Sequence, residues 1–479
     1  MNIGMTIYIL GIITAFEGVF MLVPTATAAV YHEKQLLLFA IMSLVLIAAG
    51  GIITRFKPKN KTLFAKDGFL IVVALSWIVL SLVGALPFSL TGQIPDYLDA
   101  VFETVSGFTT TGASILHTLE GVPKCMLMWR SFMHWIGGMG VLVFIMAILP
   151  LSGGQNMYLM KAESPGPSVG KLVPRVRTTA FLLYAIYFVL TVAEFILLLI
   201  GGMPVFDAIN ISAATAGTGG FSCDPAGMPY SPFCINVITV FMFLFAANFT
   251  FYFLLIRRRF KEAFSEEIRL YLAIIAFAVI TIFLDIRHLP MFSGAGEALM
   301  HGAFTIGSLL SSTGFATVDF DKWPTYSRTL LVMLMFVGAC AGSTGGGIKV
   351  SRLIILFKNM TNEFRVMMHP RQVKRVKMDG QQVDGEVIRS VHVYLACYIM
   401  IYAISMLVLS LDHLDLTTNF TAVVATLNNI GPGLNMVGPT SNYDVFTTSS
   451  KVVLIFDMLA GRLELFPIVL LLAPSTWKK

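Results

Sequence analysis

Four short segments of this chain repeat one arrangement of residues able to hold a metal cation. Each places three residues before a glycine: Thr109-Thr110-Thr111-Gly112, Gly217-Thr218-Gly219-Gly220, Ser311-Ser312-Thr313-Gly314 and Asn428-Asn429-Ile430-Gly431. Glycine takes positive φ without a Cβ clash, so it suits a sharp turn into extended chain. Extended backbone outside a sheet leaves its carbonyl oxygens without ladder partners. Four such segments around one axis make a ring of oxygens that can replace the hydration shell of an alkali cation. Threonine and serine hydroxyls can add ligands at the inner end. One glycine-rich turn between helices is commonplace; four in register carry the assignment. The candidate cation ligands are Thr110, Thr111, Gly112, Thr218, Gly219, Gly220, Ser312, Thr313, Gly314, Asn429, Ile430 and Gly431.

A second group of residues lies in apolar surroundings where it does not belong by composition. The run from Gly338 to Lys349 interrupts an apolar stretch with AGSTGGG. Each glycine costs a helix about 1 kcal/mol relative to alanine. Unwound backbone in hydrocarbon leaves peptide groups unsatisfied, so this run must lie against protein or water. Below a carbonyl ring, Ala341, Gly342, Ser343, Thr344, Gly345, Gly346 and Gly347 would obstruct a pore; close helix packing through glycine is the other reading. Arg462 lies inside the last apolar stretch, with Asp457 and Glu464 nearby in sequence. A structural ion pair with either carboxylate is one role for it, and function is the default reading of an ionisable group at that depth. Lys349, at the inner end of the broken run, has two readings: a side chain snorkelling to the interface, which is favoured, or one that touches the obstructing loop. Glu194 is buried by position in an apolar stretch.

These residues need elements to position them, and the composition says which. The chain has 479 residues, 56% hydrophobic and only 13% charged, with mean hydropathy +0.79. A soluble chain carries about 25% charged residues. Soluble enzymes, disordered chains and nucleic-acid-binding domains are excluded, and a bilayer-embedded, all-α polytopic protein is left. Stretches of about 20 apolar residues cross a bilayer. Ten candidates run over 5–30, 35–54, 69–91, 125–150, 179–202, 232–256, 268–290, 323–357, 391–412 and 448–473. The first has no basic residues before it and no clear cleavage site, so it reads as a retained helix and not a signal peptide. Lys and Arg gather in the connections after the second, fourth, sixth and eighth spans, as in Arg257, Arg258, Arg259 and Lys261. The positive-inside rule then places those loops and both termini in the cytoplasm. The net charge of +6 is thereby an orientation signal and not a nucleic-acid footprint.

The connections after spans three, five, seven and nine are long and semi-apolar, and each ends in one of the four glycine motifs. Roughly ten residues of helical character precede each glycine, about 15 Å at 1.5 Å per residue, or half a bilayer. A half-helix entering from outside presents its negative C-terminal end to the membrane centre, where it favours a cation. The unit of span, half-helix, glycine turn and span occurs four times. Expected boundaries are 1–66 for two extra N-terminal helices, 67–155, 156–262 and 263–370 for three pore repeats, and 371–479 for a cytoplasmic loop and the fourth. Asp96, Asp99, Glu103, Asp207, Asp224, Glu297, Asp319, Asp321 and Asp444 fall on the outer side, where carboxylates raise the local cation concentration. Asp99 and Asp207 begin their half-helices and read as caps. Alternating valines around Asp379-Gly380 predict a small β-hairpin in the largest inner loop. Cys223 and Cys234 share an outer loop, either disulfide-bonded or as two free thiols.

At the motifs TTTGAS, AGTGGFS, SSTGFAT, NNIGPGL, GACAGSTGGGIKVSR and LAGRLELFP the chain resembles the Trk/Ktr/HKT superfamily of potassium transport proteins, and within it the bacterial TrkH-like subunits. The resemblance covers essentially the whole chain. It implies four M1–pore-helix–M2 repeats around a pseudo-fourfold ion pore, K⁺ bound in the filter, a homodimer, the bacterial inner membrane, and a cytosolic TrkA-like nucleotide-binding regulator. It implies that Ala341 to Gly347 form a movable gate and that Arg462 reaches that loop. Glycine at all four filter positions implies preference for K⁺ over Na⁺. The fourth motif departs from the others, with asparagines before its glycine and Pro432 after it.

The leading function is therefore K⁺ uptake through a selective, gated pore. The alternative is a secondary transporter coupling K⁺ to H⁺ or Na⁺; such folds usually carry inverted repeats, whereas these run in one orientation. No phosphate-binding loop, zinc-protease or nucleophile-elbow motif is present, so the chain does not read as an enzyme.

Overall fold

The computed structural model describes residues 2–58, 65–140, 176–224, 227–369 and 375–474. Expectations that fall outside these, including the inner ends of span 125–150 and the loop after it, lie outside the described residues. The described chain is mostly helical. Helices α1 (Ile3–Phe20), α2 (Leu22–Val30) and α3 (Leu36–Arg55) form the extra N-terminal unit. α1 and α3 pack through glycine: a Cβ on Gly50 would meet the Gly11 carbonyl and Ala15 nitrogen, each at 2.5 Å. Small residues at such contacts let helices approach closely where lipid offers no hydrophobic drive.

The first repeat is α4 (Ala65–Leu90), the half-helix α5 (Tyr97–Phe108) and α6 (Lys124–Met139). The second is α7 (Val176–Ile200), the half-helix α8 (Val205–Gly217), α9 (Pro232–Ala246) and α10 (Phe249–Ile256), followed by the short α11 (Phe260–Ala263). The third is α12 (Glu266–Ile286), the half-helix α13 (Ala295–Leu310), α14 (Thr325–Val337) and α15 (Val350–Met368). A two-stranded hairpin follows, β1 (Lys377–Met378) and β2 (Gln381–Gln382). The fourth is α16 (Gly385–Leu409), the half-helix α17 (Leu416–Leu427), α18 (Thr448–Arg462) and α19 (Phe466–Leu472). Among the described residues, six helical stretches are long and apolar enough to cross a membrane, or seven with the bent pair α9–α10. The protein is a multi-pass membrane protein. The count is below ten because the second long helix is interrupted in repeats two, three and four, and because the inner part of span 125–150 lies outside the described residues.

Local chemistry sets the helix starts. Ser231 accepts the Cys234 N–H with Pro232 at the first helical position, and Asp415 accepts the Thr418 N–H at 3.0 Å. Side-chain oxygens in this role satisfy backbone donors that the helix cannot. Asp99 and Asp207, expected as caps, sit inside the first turn instead. The cap of α5 is Asp96, which accepts from Leu98 and Asp99, while α8 starts at Pro204 without a side-chain cap. The acidic first turn still complements the helix dipole.

The hairpin forms where expected, with Lys377 opposite Gln382 and Met378 opposite Gln381. Asp379 and Gly380 have φ of 50° and 78°, the turn whose twist matches the flanking strands. The cysteines are free. Cys223 lies against Asp207, and Cys234 against the carbonyls of Leu198 and Gly201, so the two thiols point apart.

Candidate functional site: a four-part carbonyl ring and the loop beneath it

The four half-helices end in the same way. The residue two before each key glycine is left-handed: Thr110, Thr218, Ser312 and Asn429 have φ of 58°, 55°, 61° and 54°. The glycines follow at 80°, 73°, 84° and 93° for Gly112, Gly220, Gly314 and Gly431. The residue between them does not share the positive φ, so the backbone alternates in hand. Alternation of this kind turns successive backbone groups toward one side. The N–H of that middle residue closes back onto the half-helix in every repeat: Thr111 to Ser106, Gly219 to Ala214, Thr313 to Ser308 and Ile430 to Ala425, at 2.8–2.9 Å. Four dissimilar sequences thus converge on one backbone conformation.

The four segments meet in a closed ring. A Cβ placed on Gly112 would overlap the Gly219 carbonyl oxygen. On Gly220 it would overlap that of Thr313, on Gly314 that of Ile430, and on Gly431 it would approach that of Thr111 at 2.8 Å. Each glycine therefore abuts the carbonyl one residue before the glycine of the next repeat, and the fourth returns to the first. The structure brings all twelve predicted residues together here, and all but the partly buried Gly112, Gly220 and Gly314 are buried.

Side chains lock the ring from behind. Asn429 donates from Nδ2 to Thr111 Oγ1 and to the Met458 carbonyl, both at 2.9 Å, joining the fourth segment to the first. Tyr443 donates to the Gly431 carbonyl at 2.6 Å. His134 bridges the first and second: Nδ1 lies 2.7 Å from the Gly107 carbonyl, and Nε2 accepts from the Phe221 N–H at 3.3 Å. With Nε2 accepting, Nδ1 carries the proton in the neutral ring. Arg130 Nε pairs with Glu103 at 2.7 Å, its guanidinium stacks on Phe221, and it reaches Ser114 and the Ser222 carbonyl. Glu103 also accepts from the Ile115 N–H.

Sequence reasoning missed His134 and missed the burial of Arg130. The signal was present: two polar residues four apart within an apolar stretch lie on one helix face. The expected outer ring of free carboxylates is also revised. Glu103 is buried in its ion pair, Asp99 and Asp444 both pair with Lys451, and Asp321 pairs with Arg328. Opposite charges within hydrogen-bond reach offset the field each carboxylate would project alone.

The interrupted segment lies directly under this ring. The Gly346 N–H donates to Ser312 Oγ at 2.6 Å. A Cβ on Gly345 would lie 2.6 Å from the Ser311 carbonyl, and one on Gly346 would overlap that of Asn428. Only glycine lets the loop pass this close to the backbone of the ring. The bend between α9 and α10, at 92°, supplies the loop with partners: Cys340 N–H donates to the Ala246 carbonyl at 3.0 Å, and Phe249 N–H to that of Gly342 at 3.1 Å.

Two basic groups converge on the loop. Arg462 donates to the Thr344 carbonyl at 2.9 Å, to the carbonyls of Gly137 and Gly138, and to Thr110 Oγ1 at 3.4 Å. Its sequence neighbours are otherwise engaged: Glu464 pairs with Arg352, and Asp457 accepts from Ser405 at 2.8 Å. Lys349 is buried, 2% exposed, and its Nζ donates to the Gly345 carbonyl. The snorkelling expected of Lys349 is overturned, because its backbone at φ 83° turns the side chain back into the loop. Glu194 is fully buried in α7.

A chain-length match accompanies this geometry: residues 35–479 correspond to the TrkH family, described as cation transport proteins. The chain belongs to the TrkH family. It is 36% identical over 476 residues, 98% of each chain, to the Trk system potassium uptake protein TrkH of Salmonella typhimurium. To the Trk system potassium uptake protein TrkG of Escherichia coli K12 it is 33% identical over 484 residues, 100% of this chain and 99% of that one. The crystal structure of the potassium transporter TrkH from Vibrio parahaemolyticus superimposes with a TM-score of 0.88 at 33% identity, covering 100% of both chains. The fold is thus shared with that solved structure over the full length of both chains.

Proposed function

We propose that this TrkH-family chain takes up K⁺ across the bacterial inner membrane through a selective, gated pore. The observation that carries this reading is the closed ring of glycine-to-carbonyl contacts, 112 to 219, 220 to 313, 314 to 430 and 431 to 111. Carbonyl oxygens from residues 110–112, 218–220, 312–314 and 429–431 would replace water around K⁺ at the end of four half-helices whose C-terminal dipoles favour a cation. Ala341 to Gly347 would be the gate. Arg462, bonded to the Thr344 carbonyl, would hold it shut, and its charge with that of Lys349 would repel a cation below the ring. The repeats would divide at 67–155, 156–262, 263–370 and 371–479. The even-numbered connections and both termini would face the cytoplasm, where a TrkA-like nucleotide-binding regulator would act on a homodimer.

The test is ⁸⁶Rb⁺ uptake into proteoliposomes holding this chain alone, with K⁺ or Na⁺ in competition and no pH or Na⁺ gradient. Uptake blocked by K⁺ and not by Na⁺ is expected. Uptake that appears only under an imposed H⁺ or Na⁺ gradient would replace the pore with a coupled transporter.

A further inference from the structure

The first turn of α12 carries two adjacent carboxylates that face opposite ways. Glu267, 4% exposed, accepts from the Ala341 N–H at 2.7 Å and from the Ser351 N–H at 3.1 Å, both on the same Oε1. Those two donors are the entry and exit of the interrupted segment, ten residues apart in the chain. One oxygen therefore staples the loop closed on itself. Neither N–H is satisfied by a helix at that point, because α14 ends at Val337 and α15 begins at Val350. A charged acceptor is the stronger kind of partner for a backbone donor, and removing it leaves two buried N–H groups unpaired.

Glu266 turns the other way, onto the hairpin. Its N–H donates to Asp379 Oδ1 at 2.7 Å, and its Oε1 accepts from the Asp379 N–H at 3.3 Å. Lys358 completes the joint, bonding both Glu266 and the Lys377 carbonyl. The hairpin turn and the loop beneath the carbonyl ring thus grip consecutive residues of one helical turn. A displacement of the hairpin cannot leave Glu267 in place without breaking the paired Glu266–Asp379 bonds.

We infer that Glu267 is a clasp that holds the interrupted loop in its obstructing form, and that hairpin 377–382 is the handle through which the clasp is released. This rests on the reading of that loop as the gate. The arrangement has the physical parts that coupling between distant sites needs: a contiguous chain of bonds and an element with a held and a released state. Glu267 is a positioning residue and touches no ion.

The experiment measures regulator-free ⁸⁶Rb⁺ flux in proteoliposomes for Glu267→Ala, Glu267→Gln, Asp379→Ala and the double variant Glu267→Ala/Asp379→Ala, with Arg462→Ala as reference for the gate itself. Monodispersity on size exclusion selects the folded protein. The expected result is a rise of about tenfold or more for Glu267→Ala, since the loss of even one of its two charge-assisted bonds is a shift of about that size. A smaller rise is expected for Glu267→Gln, which keeps the acceptor without the charge and remains testable if the alanine variant fails to fold. Asp379→Ala should raise flux, and the double variant should not exceed Glu267→Ala, since both act through one clasp. Flux unchanged by both Glu267 variants while Arg462→Ala raises it overturns the clasp and spares the gate. Fully multiplicative effects in the double variant overturn the relay through Glu267. If neither Arg462→Ala nor any Glu267 variant raises flux, the gate reading falls and the clasp with it.

Discussion

Serine at position 112 tests the carbonyl ring, and serine at 431 supplies its own control. Both glycines have left-handed φ, 80° and 93°. An L-residue there costs about 1–2 kcal/mol in either place, so backbone strain cancels between the two variants. What differs is the neighbour. A Cβ on Gly112 overlaps the Gly219 carbonyl oxygen, which must retreat on the order of 1 Å to restore a normal contact. At Gly431 the nearest oxygen, that of Thr111, stands at 2.8 Å, so a retreat of a few tenths suffices. Losing one oxygen from a cation's ring is comparable to losing a hydrogen bond to a charge, about 1.5–3 kcal/mol. At 1.4 kcal/mol per tenfold, preference for K⁺ over Na⁺ should fall about tenfold or more in Gly112→Ser. The fall should be clearly smaller in Gly431→Ser. Competition of ⁸⁶Rb⁺ uptake by graded K⁺ and Na⁺ reads both ratios. Wild-type discrimination in Gly112→Ser, or a larger loss at 431 than at 112, would refute the ring.

Arg462→Ala should raise basal flux, because three carbonyls and the Thr110 hydroxyl lose the donor that ties loop to filter; unchanged flux with unchanged folding sinks the latch. Glu103→Gln should lower thermal stability in detergent by about 3–5 kcal/mol, the cost of leaving buried Arg130 uncompensated; an unshifted melt contradicts that pairing. The Lys451 ammonium beside Asp444 holds its carboxyl below the usual carboxylate range. Its stabilisation is therefore present at neutral pH and lost as pH falls through that lowered value, below about 4. The melting difference between wild type and Asp444→Asn should shrink to nothing on acidification, and a difference that persists at low pH rules the ion pair out.

The ring was legible because its signal is a backbone requirement repeated four times: a glycine that must take positive φ, at the end of a segment too short to cross a bilayer. Glycine density exposed the interrupted segment for the same reason. The other breaks carry no such mark. Ala247 and Asn248 sit in an apolar run that reads as one span, yet the chain turns there by 92°. Glu464 and Leu465 hold φ of 59° and 67° with side chains that disfavour it. What holds them is tertiary: Glu464 reaches Arg352, over a hundred residues earlier in sequence. The burial of Arg130 was marked only by its spacing of four from His134, since a basic residue near a span end otherwise reads as a topology signal until its partner Glu103 and the stacking Phe221 are seen.

The breaks belong together. α9 stops at Ala247, α14 at Gly338 and α18 at Leu463, each in the second long helix of its repeat. A helix broken within a bilayer exposes donors and acceptors that lipid cannot satisfy, so each break needs a protein partner at the same depth. Repeats two and three meet that need mutually: Ala246 lends its carbonyl to Cys340, and Gly342 lends its own to Phe249. The 92° bend is thus the counterpart of the loop and not a separate irregularity. It follows that the loop cannot leave its place under the ring while the α9–α10 bend stays as it is, because Phe249 N–H would then be unpaired. If the loop is the gate proposed above, its opening must either straighten that bend or admit water to it, and Phe249, 1% exposed here, is the position where the second alternative would show as new solvent access.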